Sequence, residues 1–322
     1  MEADRSGPSI WVPMTGALED LVAAELSQPV DRRVSDMAAA LAARYPGAAR
    51  AVLFYGSCLR TPDLEGQMLD FYLLVSDYRS AYGKSWMAPA NRLIPPNVFP
   101  FQHGRLAAKY AVLSEADFDR LNGARGKSVS VWARFAQPSR LAWSVDEDAA
   151  RACAKAVAKA APTLLAAARP MLIPAPRDPL DLWREAFTLT YSAELRAERK
   201  GRAASVVEGD PARYLRFTAP ALEAAGIGTL APGGGLALKP VSRAEHGQAK
   251  RDWAKRRRAG KLLSALRLTK ASGTYAGGVD YLAWKINRHA GTKITIAPWQ
   301  RRWPLLAAIT LLPRLLKQRA IR

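Results

Sequence analysis

Cysteine is scarce in this chain. Its 322 residues hold two, Cys58 and Cys153, with no paired spacing motif. That excludes a disulfide framework and a cysteine-based zinc module. Histidine is nearly as rare, and His103, His246 and His289 share no metal-ligand spacing. Long apolar runs are missing too. The stretch from Trp303 to Leu316 is interrupted by Arg314 and falls well short of the ~20 residues a bilayer span needs. Residues 1–20 carry Glu2, Asp4, Arg5, Glu19 and Asp20 without an apolar segment, so neither a secretory signal nor a mitochondrial transit peptide is expected. Acid is what the C-terminal quarter lacks. Residues 241–322 hold 3 of the 28 Asp+Glu and 19 of the 48 Lys+Arg, an excess of 16 within a net charge of +20. Such a polycation suits phosphate-bearing partners, either nucleic acid or anionic lipid headgroups.

What is present is a folded globular chain. Hydrophobic residues make up 49%, and the length allows two domains or one with extensions. Periodicity predicts helices over residues 14–27 and 32–44, the second ended by Pro46-Gly47. Strands are expected over 50–55, 68–75 and 107–113, with a helix over 115–122. The alternation of Val129, Val131, Ala133 and Phe135 reads as a further strand. Residues 78–104, rich in aromatics and proline, read as a long functional loop. Ala-rich helices are expected over 146–170 and 178–200. A linker is expected over 226–240, around Pro232-Gly233-Gly234-Gly235.

The most telling pattern is Tyr55-Gly56-Ser57, followed by Asp70 inside Met68-Leu69-Asp70-Phe71-Tyr72-Leu73-Leu74-Val75. A carboxylate on an apolar strand is costly unless it has work to do. A Gly-Ser turn just ahead of it offers backbone N–H groups to phosphate. Together they suggest a site for a nucleoside triphosphate and a metal ion.

These residues resemble the nucleotidyltransferase signature, a hydrophobic-Gly-Ser turn followed by a strand acid. The flanking blocks narrow the likeness. Val75-Ser76-Asp77, Lys109-Tyr110-Ala111-Val112-Leu113-Ser114, Ala133-Arg134-Phe135-Ala136-Gln137-Pro138 and Leu189-Thr190-Tyr191-Ser192-Ala193-Glu194-Leu195-Arg196 are similar, in order, to segments of the mitochondrial-type phosphatidate cytidylyltransferases. These are the CDP-diacylglycerol synthases of the translocator assembly and maintenance family, and a bacterial member is suggested here. The likeness covers about residues 40–220. It departs from the family where Ala133 and Ala136-Gln137 replace Gly and His-Lys, and in having no His between Asp77 and Asn97.

The resemblance implies an α+β fold. Residues 1–145 would form a polymerase-β-like nucleotidyltransferase core and 146–235 a mainly helical, winged-helix-like domain. Residues 236–322 would be a basic, membrane-associating extension. It implies transfer of a cytidylyl group from CTP to phosphatidic acid, with Mg2+ or Mn2+ as cofactor. Tyr55, Gly56 and Ser57 would bind nucleotide. Asp70 and Asp77 would hold metal, Asp70 and Lys109 would act in catalysis, and Arg134, Glu194 and Arg196 would meet the substrate phosphate. The expected location is cytoplasmic, peripheral on the inner face of the cell membrane. No specific nucleic acid is expected, and homo-oligomerisation is left open.

The second strand acid of related sites is here Tyr72, which shares a strand face with Asp70. A hydroxyl acceptor needs help losing its proton. A phosphate monoester, with a second pKa near ~6, is already largely ionised. Tyr72 therefore favours a phosphate acceptor over an RNA 3′-hydroxyl. In the tail, Trp299, Arg301, Arg302, Trp303, Leu305, Leu306, Ile309 and Leu312 combine headgroup-level tryptophans, cations and a leucine face, as an interfacial helix does. Two alternatives stand beside this reading. One is a nucleotidyltransferase acting on RNA or another small acceptor. The other is a catalytically silent nucleotide-binding fold.

Overall fold

The computed structural model describes residues 16–60, 63–126, 128–193, 202–274 and 297–298. Helices α1 (Ala17–Leu26) and α2 (Arg32–Ala42) lead into β1 (Ala49–Tyr55). A 3-10 turn, Ser57–Arg60, precedes β2 (Met68–Val75). Then come α3 (Tyr78–Tyr82), α4 (Met87–Leu93), β3 (Asn97–His103), β4 (Leu106–Ser114), α5 (Glu115–Asn122), α6 (Trp132–Phe135) and β5 (Ser139–Ser144). Helices α7 (Glu147–Ala158), α8 (Ala160–Ala168), α9 (Pro179–Tyr191), α10 (Arg202–Glu208) and α11 (Pro211–Ala225) follow. A hairpin of β6 (Gly228–Leu230) and β7 (Leu236–Leu238) leads into the long α12 (Arg243–Thr274).

The molecule is built on a five-stranded mixed sheet in the order β3-β4-β2-β1-β5. β2 and β4 run parallel, and the other neighbours are antiparallel. Both faces of the sheet are covered. Leu53, Tyr55, Tyr72, Leu74, Ala111 and Leu113 join one apolar cluster with α1 and α5–α9. Val52, Phe54, Phe71, Leu73, Val75, Tyr110 and Val112 join the other with α2. That double burial explains why β2 reads as a nearly continuous apolar run.

Local chemistry sets the helix starts. Asp31, Ser114, Asp146, Asp178 and Asp210 each accept a backbone N–H at an N-cap, and each such cap is worth ~1 kcal/mol. Helix α11 stops at Gly226, whose φ of 67° is left-handed.

A buried ion pair ties the helices to the sheet. Arg213 on α11 bonds both oxygens of Glu25 on α1, through Nε and through Nη2 at 3.0 Å. It also donates to the Ala136 carbonyl at 3.0 Å. Glu25 Oε1 accepts from the Ser139 amide at 3.4 Å. Burial alone would lower the Arg213 pKa, but the adjacent Glu25 carboxylate outweighs it and the pKa is raised. The guanidinium also lies over Phe217, 4.2 Å from the ring centroid.

Several expectations are corrected. The segment around Val129–Phe135 is no strand. Ala133, Phe135 and Ala136 donate to the carbonyls four residues back. Val129, Val131, Trp132, Ala133 and Phe135 are all buried, so an apparent period of two carried no information there. Residues 78–104 are no loop but α3, α4 and β3. Pro100 is accommodated because β3 is an edge strand. The helix expected over 146–170 is two helices that meet at Lys159. The expected linker over 226–240 holds the β6–β7 hairpin.

The boundaries expected at 145 and 235 do not interrupt the core. One cluster runs from Leu18 through Tyr72, Leu164 and Phe217 to Trp253. Trp253 is fully buried and donates to the Ala167 carbonyl at 2.9 Å. So the first part of the basic region is a docked helix. Farther along α12, Arg267 Nε donates to the Pro95 carbonyl at 2.8 Å, and Lys270 Nζ donates to that of Ile94. No helix among the described residues is long and apolar enough to cross a membrane.

Candidate functional site

Strand register assembles a row across the sheet. Asp70 on β2 is the Cα partner of Lys109 on β4 and of Tyr55 on β1. Tyr55 in turn faces Ser139 on β5. Lys109, Asp70, Tyr55 and Ser139 thus lie side by side on four neighbouring strands.

Gly56 ends β1 with φ 95°, a conformation that side chains resist. A Cβ placed there would meet Asp70 Oδ2 at 2.9 Å. Glycine is needed on both counts, for the turn and for the approach to the carboxylate. Ser57 follows, exposed, at the start of the 3-10 turn.

Lys109 Nζ lies 3.0 Å from Asp70 Oδ1, with the two side chains 28% and 19% exposed. This shielding strengthens their attraction relative to a surface pair. The contact balances charge but leaves Oδ1 without an aligned hydrogen-bond donor among the described residues. A buried carboxylate oxygen of this kind is a candidate ligand for a cation. Asp70 contributes one carboxylate, and no group of three or more His, Cys, Asp or Glu that could hold a metal occurs among the described residues. Magnesium is commonly held by one or two carboxylates together with substrate phosphates. The residues therefore fit Mg2+ or Mn2+ arriving with a triphosphate.

Tyr72 points to the same side of the sheet and is buried. Its hydroxyl accepts from Arg134 Nη1 at 3.3 Å. The Arg134 guanidinium carbon is 5.0 Å from the Tyr55 ring centroid and 5.9 Å from that of Tyr72. Phe135 packs on both rings. Arg134 emerges from α6, a helical turn whose other residues are buried.

Asp77 is elsewhere. It caps α3, accepting from the Arg79 and Ser80 amides at 2.7 and 3.0 Å and from Ser80 Oγ at 2.5 Å. The Ser80 bonds hold its carboxyl below the usual range. Seven residues of strand spacing put it roughly 20 Å beyond Asp70, at the far end of β2. The expectation that both acids ligate one metal is therefore corrected.

Cys58, next to the turn, is buried. Burial and then the Asp70 carboxylate push its thiol pKa up, which disfavours a thiolate nucleophile. His246 Nδ1 contacts the Pro170 carbonyl at 2.7 Å. Glu194 and Arg196 lie outside the described residues, as do Trp299, Arg301, Arg302, Trp303, Leu305, Leu306, Ile309 and Leu312.

The sequence did not point to Ser139, whose buried Oγ has no hydrogen-bond partner among the described residues, or to the Glu25–Arg213 pair behind it. No local signal marks either. Glu25 and Arg213 are 188 positions apart, and β5 carries no strict apolar alternation. No family model matches the chain, and no curated protein matches it either.

Proposed function

We propose that this protein is a nucleotidyltransferase, a CTP:phosphatidate cytidylyltransferase working at a membrane surface. One observation carries the reading: Asp70 sits between Lys109 and the Gly56 turn. That arrangement puts a metal-competent carboxylate, a cation and an accessible backbone within one small area. The mixed sheet, with β1 and β2 antiparallel and β4 parallel to β2, supports a polymerase-β-like core. The helices α9–α11 with the β6–β7 hairpin support the winged-helix-like part. CTP and phosphatidate rest on the resemblance of the motif blocks.

In this reading the triphosphate lies along Gly56 and Ser57, whose turn closes against the Asp70 carboxylate. Asp70 would hold Mg2+ bound to the triphosphate, whose charge supplies neutralisation at the α-phosphate. Lys109 is drawn from its contact with Asp70 toward the phosphate oxygens as negative charge accumulates. An oxygen of the acceptor phosphate attacks the α-phosphorus. The bond to the bridging oxygen of the β-phosphate breaks, and pyrophosphate leaves with the electron pair. No proton has to be removed from the acceptor, which agrees with a tyrosine at position 72 in place of an acid.

Helix α12 presents Lys250, Arg251, Lys255, Arg258 and Lys261 outward, with Leu262 and Leu266 also exposed. Cations beside exposed leucines favour an anionic lipid surface. The same cations support the second reading, an RNA-directed transferase. The test is incubation of the protein with phosphatidate liposomes, Mg2+ and each labelled nucleoside triphosphate. A nucleoside-diphosphate lipid formed from CTP is the expected result. No lipid product from any nucleotide, with salt-sensitive RNA binding in its place, would overturn the proposal.

A further inference from the structure

We infer that the outer face of α4, carrying Trp86 and Leu93, is a second lipid-contact element, which joins Leu262 and Leu266 of α12 in one surface for an anionic bilayer. The inference rests on the membrane-surface reading and deepens it, since that reading places lipid contact in the C-terminal region alone.

Helix α4 is built inside out. Asn91, near its centre, is fully buried. Its Nδ2 donates to the Val112 carbonyl at 2.9 Å, and its Oδ1 accepts from the Asn97 amide. Trp86 and Leu93 are by contrast 56% and 79% exposed. Seven residues are close to two helical turns, so these two side chains share a face. Pro89 and Arg92 are exposed with them. Burying an amide while a tryptophan and a leucine stay in water reverses the usual preference. Large apolar groups gathered on one exposed face mark an interaction site.

The patch continues onto α12. Arg267 and Lys270 donate to the carbonyls of Pro95 and Ile94. Ile94 and Pro95 follow Leu93 directly, and Arg267 follows Leu266. Leu262 and Leu266 are four apart on one helix face and are 61% and 38% exposed. The surrounding charge has one sign. Residues 78–114 hold five Lys or Arg and no acid, and residues 253–274 hold seven and no acid. Arg92 is within electrostatic reach of Asp77, but that carboxylate is engaged in capping α3. Apolar side chains with a cationic rim fit anionic lipid, where a tryptophan sits at headgroup level and Lys and Arg reach the phosphates. Residues 275–322 carry nine Lys or Arg and one acid, the same sign as the patch, so charge favours lipid over that segment as the occupant. Asn91 fixes α4 to β4, the strand that carries Lys109. Lipid contact through α4 therefore orients the sheet itself, which a tail alone does not.

The test uses the full chain and vesicles of phosphatidylcholine and phosphatidylglycerol in equal parts. Nitroxide labels are introduced by Leu93→Cys, Leu262→Cys and, as a control at an exposed position of α9, Thr188→Cys. Cys58 and Cys153 are buried and leave the added thiol as the reactive one. Electron paramagnetic resonance then compares relaxation by oxygen, which concentrates in lipid, with relaxation by a water-soluble nickel chelate. With vesicles bound, the labels at positions 93 and 262 should favour oxygen and the label at 188 the chelate. In a second measurement, Trp86→Ser combined with Leu93→Ser should weaken vesicle binding by roughly tenfold to a hundredfold, with the thermal melt unchanged. A label at 93 that stays in water while the one at 262 enters lipid, or unchanged affinity in the double variant, would overturn the inference and leave the membrane reading standing. A label at 93 shielded from both agents before vesicles are added would overturn it too, showing that another part of the chain covers α4. Oxygen preference at all three positions, the mark of unspecific insertion, would do the same. No vesicle binding by the wild type would overturn the membrane reading itself.

Discussion

Lys109 Nζ lies 3.0 Å from Asp70 Oδ1 because β4 runs parallel to β2 with those two residues in register. The pairing is long-range in sequence yet fixed by backbone hydrogen bonds. It keeps the one acid of the row beside a cation. In the proposed reaction Lys109 would leave Asp70 for the phosphate once a metal ion took its place.

Asp70→Asn should abolish metal-dependent transfer by about a hundredfold to a thousandfold, the scale of losing one electrostatic stabiliser of a transition state. The melting temperature should change little, since the substitution removes a half-shielded ion pair and a poorly satisfied carboxylate together. Product formation and a thermal melt on the same sample check both parts. Retained activity would remove Asp70 from the mechanism.

Gly56→Ala should damage stability and activity together. The new Cβ would meet Asp70 Oδ2 at 2.9 Å, in a backbone with φ 95°. Left-handed strain costs of the order of 1–3 kcal/mol, and the carboxylate must shift. Urea denaturation should show that loss, and nucleotide affinity should fall with it. A variant as stable and active as the parent would mean that the turn opens freely.

Glu25→Gln and Arg213→Met should each destabilise the fold by about 3–5 kcal/mol, because each leaves a buried charge without its partner. The double variant Glu25→Leu with Arg213→Met should recover part of that loss, since both charges are gone. A double-mutant cycle by denaturant unfolding measures this. Additive losses would show that the pair acts as two independent contacts.

Lys270 supplies a pH dependence. Burial, and then the neighbouring Arg267, lower its pKa from 10.5 to about 7. Below about 7 the lysine is charged in both folded and unfolded states, and its full burial penalty is felt. Between about 7 and 10.5 the unfolded chain binds the proton and the folded chain does not, so stability rises with pH across that window. The melting temperature should climb by a few degrees in the wild type and much less in Lys270→Met. Parallel melts from pH 6 to 10 give the comparison. Equal slopes would show that the ammonium stays charged in its contact with Ile94.

Legibility in the sequence followed locality. β2 over 68–75 and α5 over 115–122 were readable to the residue. A nearly continuous apolar run between turns, and a serine cap ahead of an amphipathic turn, are both local signals. β5 was not readable, because Ser139-Arg140-Leu141-Ala142-Trp143-Ser144 has neither an apolar run nor a clean alternation. Its place is set by its pairing with β1, which makes it an edge strand of the sheet. Trp132 and its neighbours misled for the opposite reason. Every position there except Arg134 is buried, and a segment buried on nearly all sides loses its period.

By itself the sequence determined the Gly-Ser turn, the acid on β2, the helix caps and the basic character of the C-terminal quarter. Each of these is a property of a few adjacent residues. The tertiary structure decided which groups meet. Register placed Lys109 against Asp70. The packing of α6 brought Arg134 over Tyr72, and the docking of α12 through Trp253 turned part of a basic tail into a fixed surface. Those outcomes depend on which strands pair and which faces are buried, and burial is set by the whole chain rather than by any segment of it.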